Sequence, residues 1–157
     1  MQLSTFLNFG GNCREAFQFY EKNLGGKITF MMTHGESPDQ SQVTPENKNS
    51  VLYSHMQIGE TELMASDVPG YEPMRSAYLC LSVKSSEEAE RIHALLSEGG
   101  QIFMPMAETF FAHRFAMLRD RFGTSWMVIH SKPAPPNAWS FYLPSNPKTA
   151  TPVGVDT

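Results

Sequence analysis

The sequence predicts an α+β fold built from two tandem βαβββ modules. Three observations carry that expectation. Two stretches open and close alike: Asn12-Cys13-Arg14-Glu15-Ala16 leads to Leu24-Gly25-Gly26-Lys27-Ile28, and Ser85-Ser86-Glu87-Glu88-Ala89 leads to Glu98-Gly99-Gly100-Gln101-Ile102. An apolar extended segment precedes each stretch and another follows it. Two further extended segments joined by a turn then complete each half. Internal repetition of this kind decides the architecture before any single element does.

In the first module, Phe6 to Phe9 reads as a strand. The helix after it opens on Asn12 with Glu15 three residues on, a spacing at which each side chain can bond the other's backbone N–H. Cys13, Ala16, Phe17, Tyr20 and Leu24 share one helical face. Gly25-Gly26 supplies the left-handed stop. Lys27 to Thr33 is the second strand. His34 to Ser50 is polar and contains proline, a long loop found in this module only, and loops of that length are often lids or disordered segments. Val51 to Ile58 and Thr61 to Asp67 flank Gly59-Glu60, a hairpin signal. On the first of these strands, Leu52, Met56 and Ile58 are expected to face the helix and Tyr53, His55 and Gln57 the other side.

Asp67 to Ser76, with Pro69-Gly70 and Pro73, links the modules. The second module repeats the order. Tyr78 to Val83 is its first strand. Ser85 with Glu88 caps a helix whose apolar face is Ala89, Ile92, Leu95 and Leu96, and Gly99-Gly100 ends it. Gln101 to Met106 follows, then Ala112 to Leu118 and Ser125 to His130 around Asp120-Arg121-Phe122-Gly123. The expected organisation is one domain over residues 1–132, with modules 1–68 and 77–132, and an extended tail over 133–157 beginning Pro133-Ala134-Pro135-Pro136. Trp139, Phe141 and Tyr142 in that tail suit docking on the body or on a partner subunit.

Composition narrows the function classes. The chain of 157 residues is 41% hydrophobic and 18% charged, an ordinary globular balance. Twelve Lys and Arg against 16 Asp and Glu give a net charge of -4, and the pI is about 5.7. Nucleic-acid binding is not expected, because phosphate recognition needs a basic surface. No apolar run approaches the ~18 residues of a membrane span. The opening Met1-Gln2-Leu3-Ser4-Thr5 is no signal peptide. Cys13 and Cys80 make no disulfide framework, so a reduced, cytoplasmic protein is expected. Ten Met and eleven Phe suit an adaptable apolar cavity or a Met-filled core.

Several separated motifs now resemble one family. Phe9-Gly10-Gly11-Asn12-Cys13-Arg14-Glu15-Ala16 with Phe19-Tyr20, Leu63-Met64-Ala65-Ser66-Asp67, Met104-Pro105-Met106 before Glu108-Thr109-Phe110-Phe111, and Asp120-Arg121-Phe122-Gly123 with Trp126-Met127-Val128 stand in order over residues 2 to about 131. The pattern resembles the PhnB-like branch of the vicinal oxygen chelate superfamily, which includes glyoxalases, extradiol dioxygenases and bleomycin-binding resistance proteins. Many members of the branch are described as demethylubiquinone 3-methyltransferase-like. The resemblance implies a cupped mixed sheet in each module with its helix on the convex side, and a homodimer that builds its cups across paired modules.

Metal-dependent members of that superfamily hold a divalent ion with His or Gln on a module's first strand and Glu on its fourth. Carried over, those places fall at Ser4 or Thr5, Met64, Tyr78 and Met127, and a thioether is a soft ligand poorly matched to Mg, Mn or Fe(II). The expectation is therefore no metal and no resident cofactor. Methyl transfer also lacks support: Gly10-Gly11 precedes a helix, but no GxGxxG follows it, and a tight turn explains the pair. Neither a GxSxG elbow nor a GxxxxGK[ST] loop is present. Cys13, at a helix N-terminus, could have a lowered thiol pKa but falls in the buried stripe. His34 and His93 read as loop and helix residues, and Trp126 as core.

What remains is a small-molecule pocket. Tyr53 and His55 form a polar row suited to a cavity face. Glu108 is a possible base or cation-binding carboxylate at the cavity mouth. Arg114 is placed to hold an anion or to pair with Glu108. The expected function is binding of a small organic ligand by Tyr53, His55, Glu108 and Arg114. The alternatives are a metal-dependent lyase or dioxygenase using unusual ligands such as His55 and Glu108, and a drug-sequestering resistance protein.

Overall fold

The computed structural model describes residues 4–133. The chain forms β1 (Thr5–Phe9), α1 (Cys13–Leu24), β2 (Lys27–Thr33), β3 (Val51–Ile58) and β4 (Thr61–Asp67), then β5 (Leu79–Ser82), α2 (Ser86–Ser97), β6 (Gln101–Ala107), β7 (Ala112–Arg119) and β8 (Ser125–Ser131). This is the expected α+β fold of two βαβββ modules. Strand ends differ from expectation by a residue or so, since fraying makes termini the least defined part of an element. Each module folds into its own four-stranded sheet, β1-β4-β3-β2 and β5-β8-β7-β6. The first and last strands of each module pair in parallel, and the other pairs are antiparallel. A parallel pair needs a long connection, which the helix and two intervening strands provide.

Each helix buries one sheet face. Cys13, Ala16, Phe17 and Tyr20 of α1 pack on Leu7, Phe9, Met56, Leu63 and Ala65, while Ala89, Ile92 and Leu96 of α2 pack with Leu118, Trp126 and Val128. All of these residues belong to one buried cluster. The two helix-covered faces therefore share a core, and the helix-free faces of the sheets turn outward. Those open faces carry the large exposed apolar side chains Phe6, Phe30 and Met104.

The junction between modules is polar at its centre. Tyr20 on α1 donates to Asp120, whose carboxylate also accepts from Trp126 Nε1 and from the backbone N–H groups of Phe122 and Thr124. The linker is stitched down beside it: the Tyr71 hydroxyl donates to the Phe122 carbonyl, and Met74 N–H to that of Gly123. Gly123 has φ +96°, and a Cβ there would fall inside the Tyr71 hydroxyl, so only glycine fits.

Two local expectations are corrected. Asn12 occupies the N-cap of α1 but makes no side-chain cap bond. Asp67, from the end of β4, caps instead, its Oδ1 accepting from Gly11 N and Cys13 N at 2.9 Å each. A carboxylate brought by the fold thus replaces the local capping box. On β3, the pairing with β2 slips between Met32 and Thr33. The resulting bulge puts Val51 rather than Leu52 into the core beside Met56. The long loop from His34 is closed at its base, with His34 N donating to the Ser50 carbonyl at 3.0 Å and Gly35 N to that of Lys48 at 2.8 Å. At α2 the expected cap is present, Glu88 N donating to Ser85 Oγ at 3.1 Å. Trp139, Phe141 and Tyr142 lie outside the described residues.

Candidate functional site

The open face of the first sheet is built from all four strands. Strand pairing sets Phe6 opposite Met64, Met64 opposite His55, and His55 opposite Phe30. The neighbours Leu7, Leu63, Ala65 and Met56 lie in the core, and side chains alternate along a strand. The row Phe6–Met64–His55–Phe30 therefore stands on the helix-free side. Tyr53, two residues from His55, joins it: the two rings meet edge to face with centroids 4.7 Å apart. Phe6 stacks on Tyr53 at 6.0 Å and Phe30 approaches His55 at 6.2 Å. Phe6 and Phe30 remain 47% and 45% exposed, which leaves an aromatic surface open.

Polar groups are set into this surface. His55 Nδ1 lies 2.7 Å from Glu62 Oε1. In the neutral imidazole, that contact places the proton on Nδ1 and leaves Nε2 as an acceptor. The Tyr53 hydroxyl donates to Met64 Sδ at 3.1 Å, a soft acceptor that a better ligand oxygen would displace. The arrangement can take an aromatic or apolar body against Phe6, Phe30 and Tyr53. It can also accept one proton-donating group at His55.

Glu108 and Arg114 sit elsewhere, in the second module, and do not pair with each other. Glu108 contacts Lys132 Nζ at 2.6 Å, and that ammonium holds its carboxyl below the usual range. Arg114 donates Nε to Glu90 of α2 at 2.8 Å and an η nitrogen to the His113 carbonyl at 2.7 Å. It shares its side of β7 with the core residues Ala116 and Leu118, the helix side. The structure thus brings Tyr53 and His55 together and leaves Glu108 and Arg114 in separate ion pairs.

Glu62 was missed in the sequence. The signal for it was present: a turn at Gly59-Glu60 pairs Gln57 with Glu62, which makes Glu62 the diagonal neighbour of His55. Trp126 is core, 1% exposed. Cys13 is fully buried, and burial pushes its thiol up to about 12 rather than down. A hollow of about 270 Å³ beside α1 includes Gly11, His34 and Asp67 in its lining. Asp67 is already engaged there by Gly11, Cys13 and Val51 N–H groups.

The positions that the family resemblance assigns to metal ligands carry Ser4 or Thr5, Met64, Tyr78 and Met127. Hydroxyls and thioethers do not match the imidazole and carboxylate set a hard divalent ion needs. Among the described residues, no three His, Cys, Asp or Glu side chains gather as ligands. No helix among them is long and apolar enough to cross a membrane.

Residues 1–129 match a family model described as 3-demethylubiquinone-9 3-methyltransferase. The chain is 32% identical to Protein YjdN of Escherichia coli strain K12 over 145 residues, 86% of this chain and 99% of that one. Among solved structures it is similar to protein PA1353 from Pseudomonas aeruginosa, with 39% identity and a TM-score of 0.76 over 83% of this chain and 97% of the other. A putative 3-demethylubiquinone-9 3-methyltransferase, PhnB protein, from Bacillus cereus shares the fold at 22% identity and a TM-score of 0.72, covering 83% of this chain and 99% of that one. So does the fosfomycin resistance protein FosX from Listeria monocytogenes, solved with Mn(II), at 12% identity and a TM-score of 0.58, covering 83% and 93%.

Proposed function

The chain belongs to the 3-demethylubiquinone-9 3-methyltransferase family, in the PhnB-like branch of the vicinal oxygen chelate superfamily, and from that premise we propose that it binds a small organic molecule on its open sheet faces, closed into cups by a second copy of the chain. The observation that carries this reading is the His55–Glu62 pair set among Phe6, Phe30 and Tyr53. An apolar surface with a few oriented polar groups is what a specific small-ligand site requires.

Pairing follows from the shared core. Because the helix-covered faces meet inside one chain, neither open face is covered by the other module. Exposed aromatic surface of this kind is normally an interface or a ligand site. A homodimer that sets one chain's first module against the other's second would supply both.

The donor set at the family's ligand positions does not suit a hard divalent ion. The occupied end of α1 argues against methyl transfer: the Asp67 carboxylate already takes the N–H groups that an anionic cofactor group would need there. The reading takes residues 1–132 as the working domain and a reduced, cytoplasmic setting for the thiols.

The test is a small-molecule screen by thermal shift, followed by methyl NMR of Met-labelled protein with each hit. A ligand in the first module's cup shifts Met64 and leaves the core residue Met56 unmoved. Hits that shift Met56 and not Met64 would sink the reading. Light scattering at micromolar concentration should give about twice 17.6 kDa.

A further inference from the structure

We propose that the open face of the second module carries a site for a soft monovalent cation, Cu(I) or Ag(I). It is built from the Cys80 thiolate and the thioethers of Met127 and Met117, with Met104 at its outer edge. The site uses no residue of the Tyr53–His55 face and lies on the second module's open face, the face that the proposed dimer sets opposite it.

Strand pairing puts four sulfur side chains in one row. Cys80 on β5 is opposite Met127 on β8, Met127 is opposite Met117 on β7, and Met117 is opposite Met104 on β6. Their neighbours Leu79, Leu81, Leu118, Trp126 and Val128 belong to the core or pack against it. By alternation the sulfur row stands on the helix-free side. Cys80 and Met104 are exposed, and Met117 and Met127 are half-buried.

Reach is sufficient. Adjacent strands lie ~4.8 Å apart, and methionine is long and unbranched, so sulfurs from β5, β8 and β7 can gather above Met127. Side chains already meet across this face. Tyr78, just before β5, and Phe103, on β6, bring their rings to 6.3 Å although those strands are opposite edges of the sheet.

The donors select the ion. One thiolate and two thioethers are soft ligands that suit Cu(I) and match hard divalent ions poorly. On binding, the Cys80 S–H bond breaks, its proton goes to solvent, and the sulfur lone pair goes to the metal. No redox change is involved. A monovalent ion with one thiolate is neutral overall, which an apolar face tolerates better than a net charge. The guanidinium groups of Arg75 and Arg119, 4.3 and 5.7 Å from the Phe103 ring centre, further disfavour a divalent ion. Cys13 does not compete: it is fully buried, 3.6 Å from Ser54 Oγ.

The test uses the full-length reduced chain under anaerobic conditions, titrated with Cu(I) against the chromophoric chelator bicinchoninate, with Ag(I) as a redox-inert second probe. The expected result is one Cu(I) retained per chain. Met127→Leu and Met117→Leu, which conserve volume, should each weaken it by roughly tenfold or more, and Cys80→Ser should abolish it. X-ray absorption of the loaded wild type should show sulfur neighbours only. Failure to retain Cu(I), a first shell containing nitrogen or oxygen, or equal affinity in wild type and both Met variants (an exposed thiol acting alone) would each overturn the proposal.

Discussion

Tyr20 and Asp120 lie a hundred positions apart in the sequence and share a 2.6 Å hydrogen bond in the core. Tyr20 belongs to α1 of the first module. Asp120 follows β7 of the second and also holds Trp126 Nε1 at 2.7 Å. The bond ties the two modules at the point where their helix-covered faces meet. Tyr20→Phe keeps the ring and removes the hydroxyl, which also meets Thr124 Oγ1 at 3.0 Å. The expected loss is about 1.5–3 kcal/mol, the range for a hydrogen bond to a charged group, read from urea unfolding. A loss below ~0.5 kcal/mol, the level of a surface substitution, would show that the bond does not couple the modules.

The same carboxylate gives a signed pH dependence. Burial, the largest cause, raises the Asp120 pKa above the ordinary carboxylate range, against the opposing hydrogen bonds from Tyr20 and Trp126. The folded state therefore holds this proton to higher pH than the unfolded chain does. Its stabilising contribution is fully present below the unfolded pKa and is lost as pH rises through the folded one. The stability gap between wild type and Asp120→Asn, which cannot titrate, should widen as pH falls from about 7 toward about 4. A gap that narrows on acidification would contradict the assignment.

The two faces of β3 should respond differently to truncation. Met56 is fully buried under α1, and Met56→Ala is expected to destabilise by about 2–5 kcal/mol. The His55 and Glu62 side chains are 23% and 38% exposed, and pairs near the surface contribute about 0–1 kcal/mol. His55→Ala should therefore leave the unfolding midpoint nearly unchanged. The reverse order of effects would mean that the faces are assigned backwards.

Thiol chemistry separates the two cysteines. Cys80 is exposed and Cys13 buried; partial burial raises the Cys80 thiol too, but the Cys13 thiol is pushed up to about 12, chiefly by burial. A thiol reagent at mildly alkaline pH should modify Cys80 in the folded protein and reach Cys13 only on unfolding. Two thiols reacting at one rate would show that α1 opens on the timescale of the assay.

The module repeat was legible because it is written in local signals. Gly pairs, helical stripes and the Gly59-Glu60 turn each act within a few residues, and the helices and strands they predict are present. The misreadings came from partners far along the chain. Asp67 reaches back 54 residues to cap α1 at Cys13, and no window around Asn12 contains it. The bulge beside Leu52 arises from the way β2 lies on β3, which alternation along one strand does not reveal. The pairing of Arg114 with Glu90 rather than Glu108 depends on the packing of α2 against β7. Tyr53 and His55 were legible as a face. The aromatic surround from Phe6 and Phe30 required strand order, which the sequence does not state.

The central claim is that the Tyr53–His55 face receives a ligand, and the most direct measurement is a calorimetric titration of a screen-derived ligand into wild type, His55→Ala and Arg91→Ala. Arg91 lies on α2 and contacts only the Asn23 carbonyl among the described hydrogen bonds, so it serves as the remote control. The account predicts binding weakened roughly tenfold or more in His55→Ala, the loss of one good polar contact, and unchanged in Arg91→Ala. Equal affinity in all three proteins would contradict it.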